Sequence, residues 1–226
     1  MSECAIPALE RLDDLLGSRT VAAHEHVLSR HPELGALAIT LSTESGNKFH
    51  KNELGIPSCS ITINPQIETY QERLDSGQAA ARFPWLVNFL QADTARPIEL
   101  NVPELITAIF LHELGHAAHF QRLIVEADSN VKAAYATSQR QRFKQLSTIP
   151  LGMASSRALK KWAKNTDGYR DDMQAQGYDE VAFKEILDLN RVAYAQLPCE
   201  VVADEFALAN LKDMRFADTP RLAPAA

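Results

Sequence analysis

The sequence predicts an α+β fold in which a small mixed sheet packs on one long apolar helix and the C-terminal half is mainly helical. Two segments, "LGALAITLS" and "CSITI", are rich in apolar and β-branched residues over the length of a strand. A helix is predicted from about residue 102 to about residue 123, because Asn101 is a good N-cap and Pro103 and Glu104 suit a first turn. Short strands followed by long helical stretches predict the α+β class.

Periodicity and breaker residues predict the other elements before this helix. Residues 5–30 carry leucines at helical spacing and should form a helix that ends near His31 and Pro32. The stretch "TESGNKFHKNELG" between the strands is typical of a turn or loop. The stretch "IETYQERLDSGQAAARFPWLVNFLQA" predicts one or two helices broken at Pro84, and "RPIEL" is a short candidate strand with Pro97 at its start.

Beyond residue 123 the chain is predicted to be mostly helical. Glycine and proline should interrupt the helices around residues 149–152, 167–168 and 177. A last helix should begin at Pro198 and run to about Asp213, followed by a loose tail, "TPRLAPAA".

Composition and charge argue against several classes of protein. The 226 residues carry a net charge of −6, which argues against nonspecific nucleic-acid binding by the whole surface. The first residues have neither the basic nor the apolar region of a secretory signal. The sequence contains no run of about 18 apolar residues, so we expect no membrane span. The three cysteines form no CxxC pair and suit thiols in a reducing compartment, so we expect a cytoplasmic protein; they are Cys4, Cys59 and Cys199.

One segment has the opposite charge to the rest of the chain. Residues 131–166 contain no Asp or Glu and eight basic residues, namely Lys132, Arg140, Arg142, Lys144, Arg157, Lys160, Lys161 and Lys164. The rest of the chain therefore carries −14, which is −6 minus 8. Such a segment can be a solvated helical surface or a docking face for an acidic partner such as nucleic acid, and both interpretations stay open.

The sequence "HELGH" inside the long apolar helix predicts a metal site. His112 and His116 are four residues apart, so a helix places both imidazoles on one face, where they can bind one zinc ion at about 2.0–2.1 Å each. Glu113 would point beside the ion, where a carboxylate can take a proton from a metal-bound water. Gly115 costs about 1 kcal/mol relative to alanine inside a helix, which suggests the close approach of another element.

A catalytic zinc ion needs a third protein ligand, and "LPCEVVADEFALANL" is its best source. Glu200 and Asp204 are four residues apart, on one face of the last predicted helix. Glu200 can bind the ion, while Asp204 can accept the outer N–H of a ligating histidine and fix its tautomer. Taken alone, the two carboxylates also suit a helix first turn, which favours acidic residues. Ala203 and Ala207 are small enough to let this helix approach closely.

HELGH followed by Glu-x-x-Ala-Asp resembles the gluzincin group of zinc metallopeptidases. The resemblance implies a zincin-like fold and Zn²⁺ as cofactor, with His112, His116 and Glu200 as ligands, Glu113 as base and Asp204 as the support of a histidine. "PIELNVPELITAIFLHELGHAAH" is similar to the regulatory peptidases of bacteria and phage that cleave repressors. "CEVVADEFALANL" resembles both that family and the membrane-embedded CAAX-prenyl endopeptidases. The resemblance covers about 40 of the 226 residues.

The spacing of the two motifs bears on the domain organisation. Residues 1–226 are predicted to form a single zincin-like domain. His116 and Glu200 are 84 positions apart (200 minus 116), which is a much longer link than the repressor-cleaving family has. We therefore assign residues 125–195 to a helical insertion between the motifs, and the basic segment 131–166 falls inside it.

The predicted function is zinc-dependent hydrolysis of a bond within a peptide or protein substrate. The substrate would lie extended along an edge strand, with residues 97–101 and 59–64 as candidate edges. Candidates for the oxyanion donor are Tyr194, Arg191 and His119. Two alternatives stay open: a non-catalytic zincin-fold sensor or scaffold, and a nucleic-acid-associated protease that docks through the basic segment.

The other histidines and cysteines are assigned to packing or to the surface. His119 is expected to be packed or at a rim, and His24 and His26 to lie on the solvated face of an amphipathic helix. Cys59 lacks the glycine-cysteine-leucine context of the peptide deformylases, and Cys199 is expected to be a small buried hydrophobe.

Overall fold

The computed structural model describes residues 5–44, 46–92 and 98–218. Within these ranges the chain forms three strands, β1 (Ala38–Leu41), β2 (Lys48–His50) and β3 (Ser60–Ile63). The α-helices are α1 (Ala5–Leu16), α2 (Thr20–Leu28), α3 (Ile67–Asp75), α4 (Gln78–Arg82), α5 (Pro84–Gln91), α6 (Val102–Glu126), α7 (Val131–Leu146), α8 (Ser155–Lys164), α9 (Tyr169–Ala175), α10 (Glu180–Ala195) and α11 (Pro198–Asp218). The α+β class and the mainly helical C-terminal half are confirmed.

The three strands form one mixed sheet in the order β1-β3-β2. Strand β1 runs parallel to β3, with Ile39 opposite Ile61, and β2 runs antiparallel to β3, with Phe49 opposite the same residue. The small mixed sheet is therefore confirmed. The prediction of a loop for "TESGNKFHKNELG" is wrong at β2, because Lys48–His50 is too short and polar to show a strand pattern yet still pairs with β3.

Neither predicted edge for an extended substrate is an edge strand in the structure. Strand β3 occupies most of the 59–64 segment and has a paired strand on each side, so its backbone offers no open edge. Residues 98–100 form no strand, and the other residues of the predicted strand "RPIEL" lie outside the described ranges. Within the described sheet the edges are β1 and β2.

The first predicted helix is in fact two helices, α1 and α2. Gly17, with φ of 64°, ends α1 in the left-handed region that glycine adopts without strain. The prediction that His24 and His26 lie on a solvated face is wrong for His24, which is only 4% exposed. The His24 ring lies 6.1 Å from the ring of Phe110, centroid to centroid, so this side of α2 faces the core.

Helix α6 packs against the sheet through β2 and β3. It begins as predicted, because the Asn101 side chain accepts a hydrogen bond of 3.0 Å from the backbone N–H of Glu104. It ends at Glu126, three residues later than predicted. Phe110 and Phe120 are fully buried, and side chains of this kind each stabilise the fold by about 1.5–3 kcal/mol.

The described residues group into two compact units, with one boundary inside α7 and the other inside α11. One unit comprises the described residues up to 136 and from 202 onward, and the other comprises residues 137–201. The second unit has its own core, in which the rings of Trp162 and Phe183 stack at 4.0 Å between centroids. The buried Asn190 accepts from the Leu151 N–H and donates to the Met153 carbonyl. The single domain with an insertion at 125–195 stays a prediction.

Most of the predicted breaks between helices are present in the structure. Three helices, α3, α4 and α5, replace the predicted one or two, and the expected breaks after α7, α8 and α9 are present. Helix α11 begins at Pro198 as predicted and extends past Asp213, whereas the predicted tail and Cys4 lie outside the described residues. In the described part of the chain, no helix combines the length and the apolarity that crossing a membrane would need.

Candidate metal centre

His112 and His116 lie on one face of α6, one helical turn apart. Their ring centroids are 4.7 Å apart and the rings are nearly perpendicular, at 82°. His112 is only 4% exposed, whereas His116 is half-buried. The helix therefore holds one buried and one half-buried imidazole side by side.

Glu200, in the first turn of α11, supplies a carboxylate to the same place. One ligand atom from each of His112, His116 and Glu200 lies within 4.8 Å of the other two. Glu200 is only 5% exposed, and a buried carboxylate is costly unless it is paired with a cation or hydrogen-bonded. The structure thus brings these three side chains together as a candidate metal site, and the metal's identity is a separate question.

The chemistry of this donor set fits a zinc ion. Two imidazole nitrogens and one carboxylate oxygen are ordinary ligands of catalytic zinc. A tetrahedral ion with bonds of about 2.0–2.1 Å would hold its ligand atoms about 3.3–3.4 Å apart. Atoms that already lie within 4.8 Å can reach that spacing by small side-chain rotations.

Asp204, one turn after Glu200, fixes the orientation of His112. Its Oδ1 lies 2.8 Å from His112 Nδ1. Since a carboxylate only accepts, Nδ1 carries the proton, and Nε2 is left with the lone pair that a metal needs. This hydrogen bond is the contact that the i, i+4 spacing of Glu200 and Asp204 suggested.

Gly115 marks where α11 approaches α6. A Cβ atom built on Gly115 would lie 2.8 Å from Ala203 Cα and 2.9 Å from the Ala203 carbonyl oxygen. Both are backbone atoms, so any side chain at this position would force the helices apart. The close approach that Gly115 suggested is confirmed, and it is what places Glu200 and Asp204 beside the histidines.

Glu113 is tied to the sheet by a contact that no sequence pattern indicated. The backbone N–H of Phe49, on β2, donates a hydrogen bond of 2.7 Å to Glu113 Oε2. Glu113 is only 8% exposed, so this bond contributes to keeping a buried carboxylate in a defined orientation. The strand that the sequence did not predict thus holds the residue proposed as base.

Arg82, the last residue of α4, is a second group that the sequence did not indicate. Its Nη1 lies 3.1 Å from Asp204 Oδ2, and its Nη2 lies 3.5 Å from His112 Nε2. The guanidinium therefore contacts both members of the hydrogen-bonded histidine–aspartate pair. Arg82 lies on a helix of five residues without a motif, so only the folded structure reveals its position.

The three candidates for an oxyanion donor have different surroundings. Tyr194 hydrogen-bonds Glu200, and burial followed by the negative charge of Glu200 raises the pKa of its phenol. Arg191 forms an ion pair with Asp188 and is exposed. His119 is half-buried, and burial is the main cause that lowers the pKa of its imidazole, as for a packed or rim histidine. Of the three, Tyr194 touches a residue of the triad.

Neither described cysteine belongs to the metal triad. Cys59 is buried; its thiol donates to the Gly55 carbonyl at 3.2 Å, and burial raises its pKa. Cys199 is half-buried rather than fully buried, with its Sγ 3.8 Å from Glu200 Oε1. The prediction that Cys199 is a buried hydrophobe is therefore wrong, because the residue is partly exposed and its thiol contacts a carboxylate.

Comparison of the chain with protein-family models, with curated proteins and with solved structures finds no match. The resemblance to the gluzincins therefore stays a prediction that rests on the two motifs. The structure adds a buried His112, His116 and Glu200 triad that fits the HxxxH…E pattern of a zinc site.

Proposed function

We propose that this protein is a gluzincin-type, zinc-dependent endopeptidase. The observation that carries the proposal is the convergence of His112, His116 and Glu200, with the carboxylate of Glu113 buried in the same turn of α6. Two histidines and a carboxylate leave a fourth position of a tetrahedral ion for water or substrate. A purely structural zinc site would fill all four positions with protein ligands.

His112, His116 and Glu200 would hold the ion, and Asp204 would keep His112 in the tautomer that binds it. Zinc is favoured over other divalent metals by the nitrogen-rich donor set. When bound, zinc lowers the pKa of a water ligand to about 7 and polarises a carbonyl group.

Glu113 would act as general base and then as general acid. Its carboxylate takes a proton from the attacking water and delivers that proton to the leaving amine. The N–H of Phe49 fixes Oε2 at 2.7 Å, so the carboxylate is held in place before substrate arrives. A positioned base of this kind contributes about 10²–10⁴-fold to the rate.

Strand β2 is the edge along which an extended peptide would lie. The N–H of Phe49 points to Glu113 rather than to β3, so Phe49 and Ile61 are a non-hydrogen-bonded pair. The Phe49 carbonyl then faces the outer edge too and can accept from a substrate N–H. A peptide paired there would lie next to the base, which favours β2 over the two edges predicted from the sequence.

The test is Glu113→Gln, which keeps the shape and an acceptor for the Phe49 N–H but removes the base. We expect one zinc ion per chain as in the wild type, and loss of at least about 10²-fold of the activity on a peptide library analysed by mass spectrometry. Glu126→Gln is the matched control, because Glu126 pairs with Arg122 on the exposed end of the same helix. Full activity of Glu113→Gln on a substrate cleaved by the wild type would contradict the mechanism.

A non-catalytic sensor or scaffold would give a different result in the same experiments. A zincin-fold sensor or scaffold would bind zinc and cleave no peptide of the library, whatever residue stands at position 113. A cytoplasmic location, which we predict for all these functions, is testable by fractionation of cells that make the protein.

A nucleic-acid-associated protease is favoured by the surface of α7 and α8. In the described structure, seven basic side chains of these two helices are exposed and form no ion pair, namely Lys132, Arg140, Arg142, Lys144, Arg157, Lys160 and Lys164. Phe143 lies between Arg142 and Lys144 in the sequence and is 79% exposed. An exposed ring beside basic residues can stack on unpaired bases. Binding to single-stranded DNA or RNA that weakens steeply with salt would support this function, and no binding at low salt would exclude it.

A further inference from the structure

Arg82 places a positive charge at the nitrogen through which His112 would bind a metal. Asp204 accepts a hydrogen bond from the Nδ1–H of His112, so the lone pair lies on Nε2. The Nη2 of Arg82 is 3.5 Å from that nitrogen, at the outer limit of hydrogen-bond length. A guanidinium has only donors, so this contact directs an N–H towards the lone pair.

The guanidinium is held in this position by two further contacts. Its Nη1 pairs with Asp204 Oδ2 at 3.1 Å, and its Cζ lies 4.6 Å from the centroid of the Phe83 ring. Phe83 is only 7% exposed, and its ring meets the His112 ring edge-on at 6.0 Å. The side chain of Arg82 is 25% exposed, so most of its surface is covered by the residues around it.

The contact of Arg82 with His112 Nε2 and its ion pair with Asp204 both disfavour a cation at His112. A unit positive charge a few ångströms from a divalent ion repels it, more strongly in partly buried surroundings than in water. The ion pair also neutralises part of the charge of Asp204, which would otherwise raise the basicity of His112. Arg82 therefore acts against metal binding in two ways that have the same sign.

We propose that Arg82 is a built-in competitor that sets the metal affinity of this site. Its guanidinium occupies the metal-facing side of His112 and is displaced or repelled when an ion binds. The inference rests on the proposed metal centre, and it makes Arg82 a residue that positions and tunes the site rather than a metal ligand. The opposite role, an arginine that supports metal binding by orienting Asp204, predicts a change of affinity with the opposite sign.

The experiment measures the affinity for Zn²⁺ alone, by competition with a chromogenic chelator at pH 7.5. We expect Arg82→Gln to bind zinc on the order of tenfold more tightly than the wild type, because a charge is removed next to the ion. Arg73→Gln changes the net charge equally but lies on α3 against Tyr70, and it should leave the affinity within about twofold. His116→Ala gives the background from the thiols and other weak sites.

A second variant keeps the inference testable if Arg82→Gln folds poorly. Arg82→Met also removes the positive charge, so its zinc affinity should likewise rise on the order of tenfold above that of the wild type, and an unchanged or weaker affinity would overturn the inference. Circular dichroism and thermal melts establish that each variant is folded before zinc is added.

The possible outcomes separate this inference from the proposed function. If the wild type binds zinc above the His116→Ala background and Arg82→Gln binds it equally or more weakly, Arg82 is not a competitor and the metal centre stands. If neither protein binds zinc above that background, the metal centre itself is overturned. Zinc binding that appears only in Arg82→Gln would be the strongest support for the competition.

Discussion

Helices α6 and α7 differ in what their polar side chains contact. Of the 25 residues of α6, 16 are buried, and these include His112 and Glu113. Of the 16 residues of α7, only Ala134 and Ser138 are buried. A polar group inside α6 needs a partner from elsewhere in the chain, whereas the charged side chains of α7 are exposed to solvent.

Because of this difference, the side-chain contacts of α6 say more about function than those of α7. The partners of the α6 side chains are specific: Asp204 for His112 and the Phe49 N–H for Glu113. An unpartnered buried carboxylate or imidazole would cost several kcal/mol, so such contacts are informative. A solvated charge on α7 costs little, so its position alone does not distinguish a docking face from an ordinary surface.

The largest effect is expected from filling the space at Gly115. Gly115→Val should destabilise the protein by about 2–3 kcal/mol, because a Cβ there meets the Ala203 backbone at 2.8 Å and the two helices must separate. The measurement is the free energy of unfolding in urea. Gly46→Val is the control, since nothing lies within 4 Å of a Cβ there. An equal effect at both positions would contradict the close packing of α6 and α11.

The next largest effect concerns the support of His112. Asp204→Asn should weaken zinc binding about 10–100-fold, because the amide accepts less strongly from Nδ1 and lowers the basicity of the imidazole. The same chelator competition measures it. Glu205→Gln is a matched change one position along α11, at an exposed residue outside the site, and unchanged affinity is expected there. If Asp204→Asn bound zinc as well as the wild type, Asp204 would have no supporting role.

A smaller effect on stability comes from pH. Burial lowers the pKa of His24 below its usual value of 6.5, so the folded state resists a proton that the unfolded state accepts. The stability that depends on neutral His24 is therefore complete above pH 6.5 and is lost as the pH falls. Between pH 7 and pH 5 this loss amounts to at most about 2 kcal/mol.

Urea unfolding of the wild type and of His24→Leu at both pH values measures this contribution. The variant should lose less stability than the wild type on acidification. His50 and His119, whose pKa values burial also lowers, keep part of the pH dependence in both proteins. An identical pH dependence would mean that His24 takes up its proton equally in the folded and unfolded states.

The smallest effect on stability is expected on α7. Phe143→Ala should change the free energy of unfolding by less than about 0.5 kcal/mol, because the ring is 79% exposed. If α7 docks single-stranded nucleic acid, the same variant should weaken that binding roughly tenfold, since a stacked base is worth about 1–3 kcal/mol. A large loss of stability would show that Phe143 packs in a way that its exposure contradicts.

The sequence predicted those parts of the molecule that depend on local spacing. The cap at Asn101, the start of α11 at Pro198 and the i, i+4 pairs are all properties of a single helix. Such patterns survive folding because they are defined within one element. These patterns were enough to predict that Glu200 and His112 belong to one metal site, although 88 positions (200 minus 112) separate them.

The contacts that the sequence did not predict all join distant elements. Arg82, Phe49 and His24 owe their surroundings to tertiary packing, and neither a five-residue helix nor a three-residue strand carries a recognisable period. Phe49 contributes a backbone N–H, which every residue except proline has, so no residue type could have indicated it. The burial of His24 against Phe110 likewise depends on how α2 meets α6.

The position of Glu200 and Asp204 in α11 has a consequence for the newly made protein. Synthesis proceeds from the N-terminus, so the two histidines and Glu113 leave the ribosome well before α11 does. Until Glu200 and Asp204 emerge and α11 packs on Gly115, a nascent chain has only two of the three side chains of the candidate metal site, and His112 lacks its hydrogen bond to Asp204. If the protein is the peptidase proposed above, hydrolysis cannot begin before the chain has been synthesised through α11.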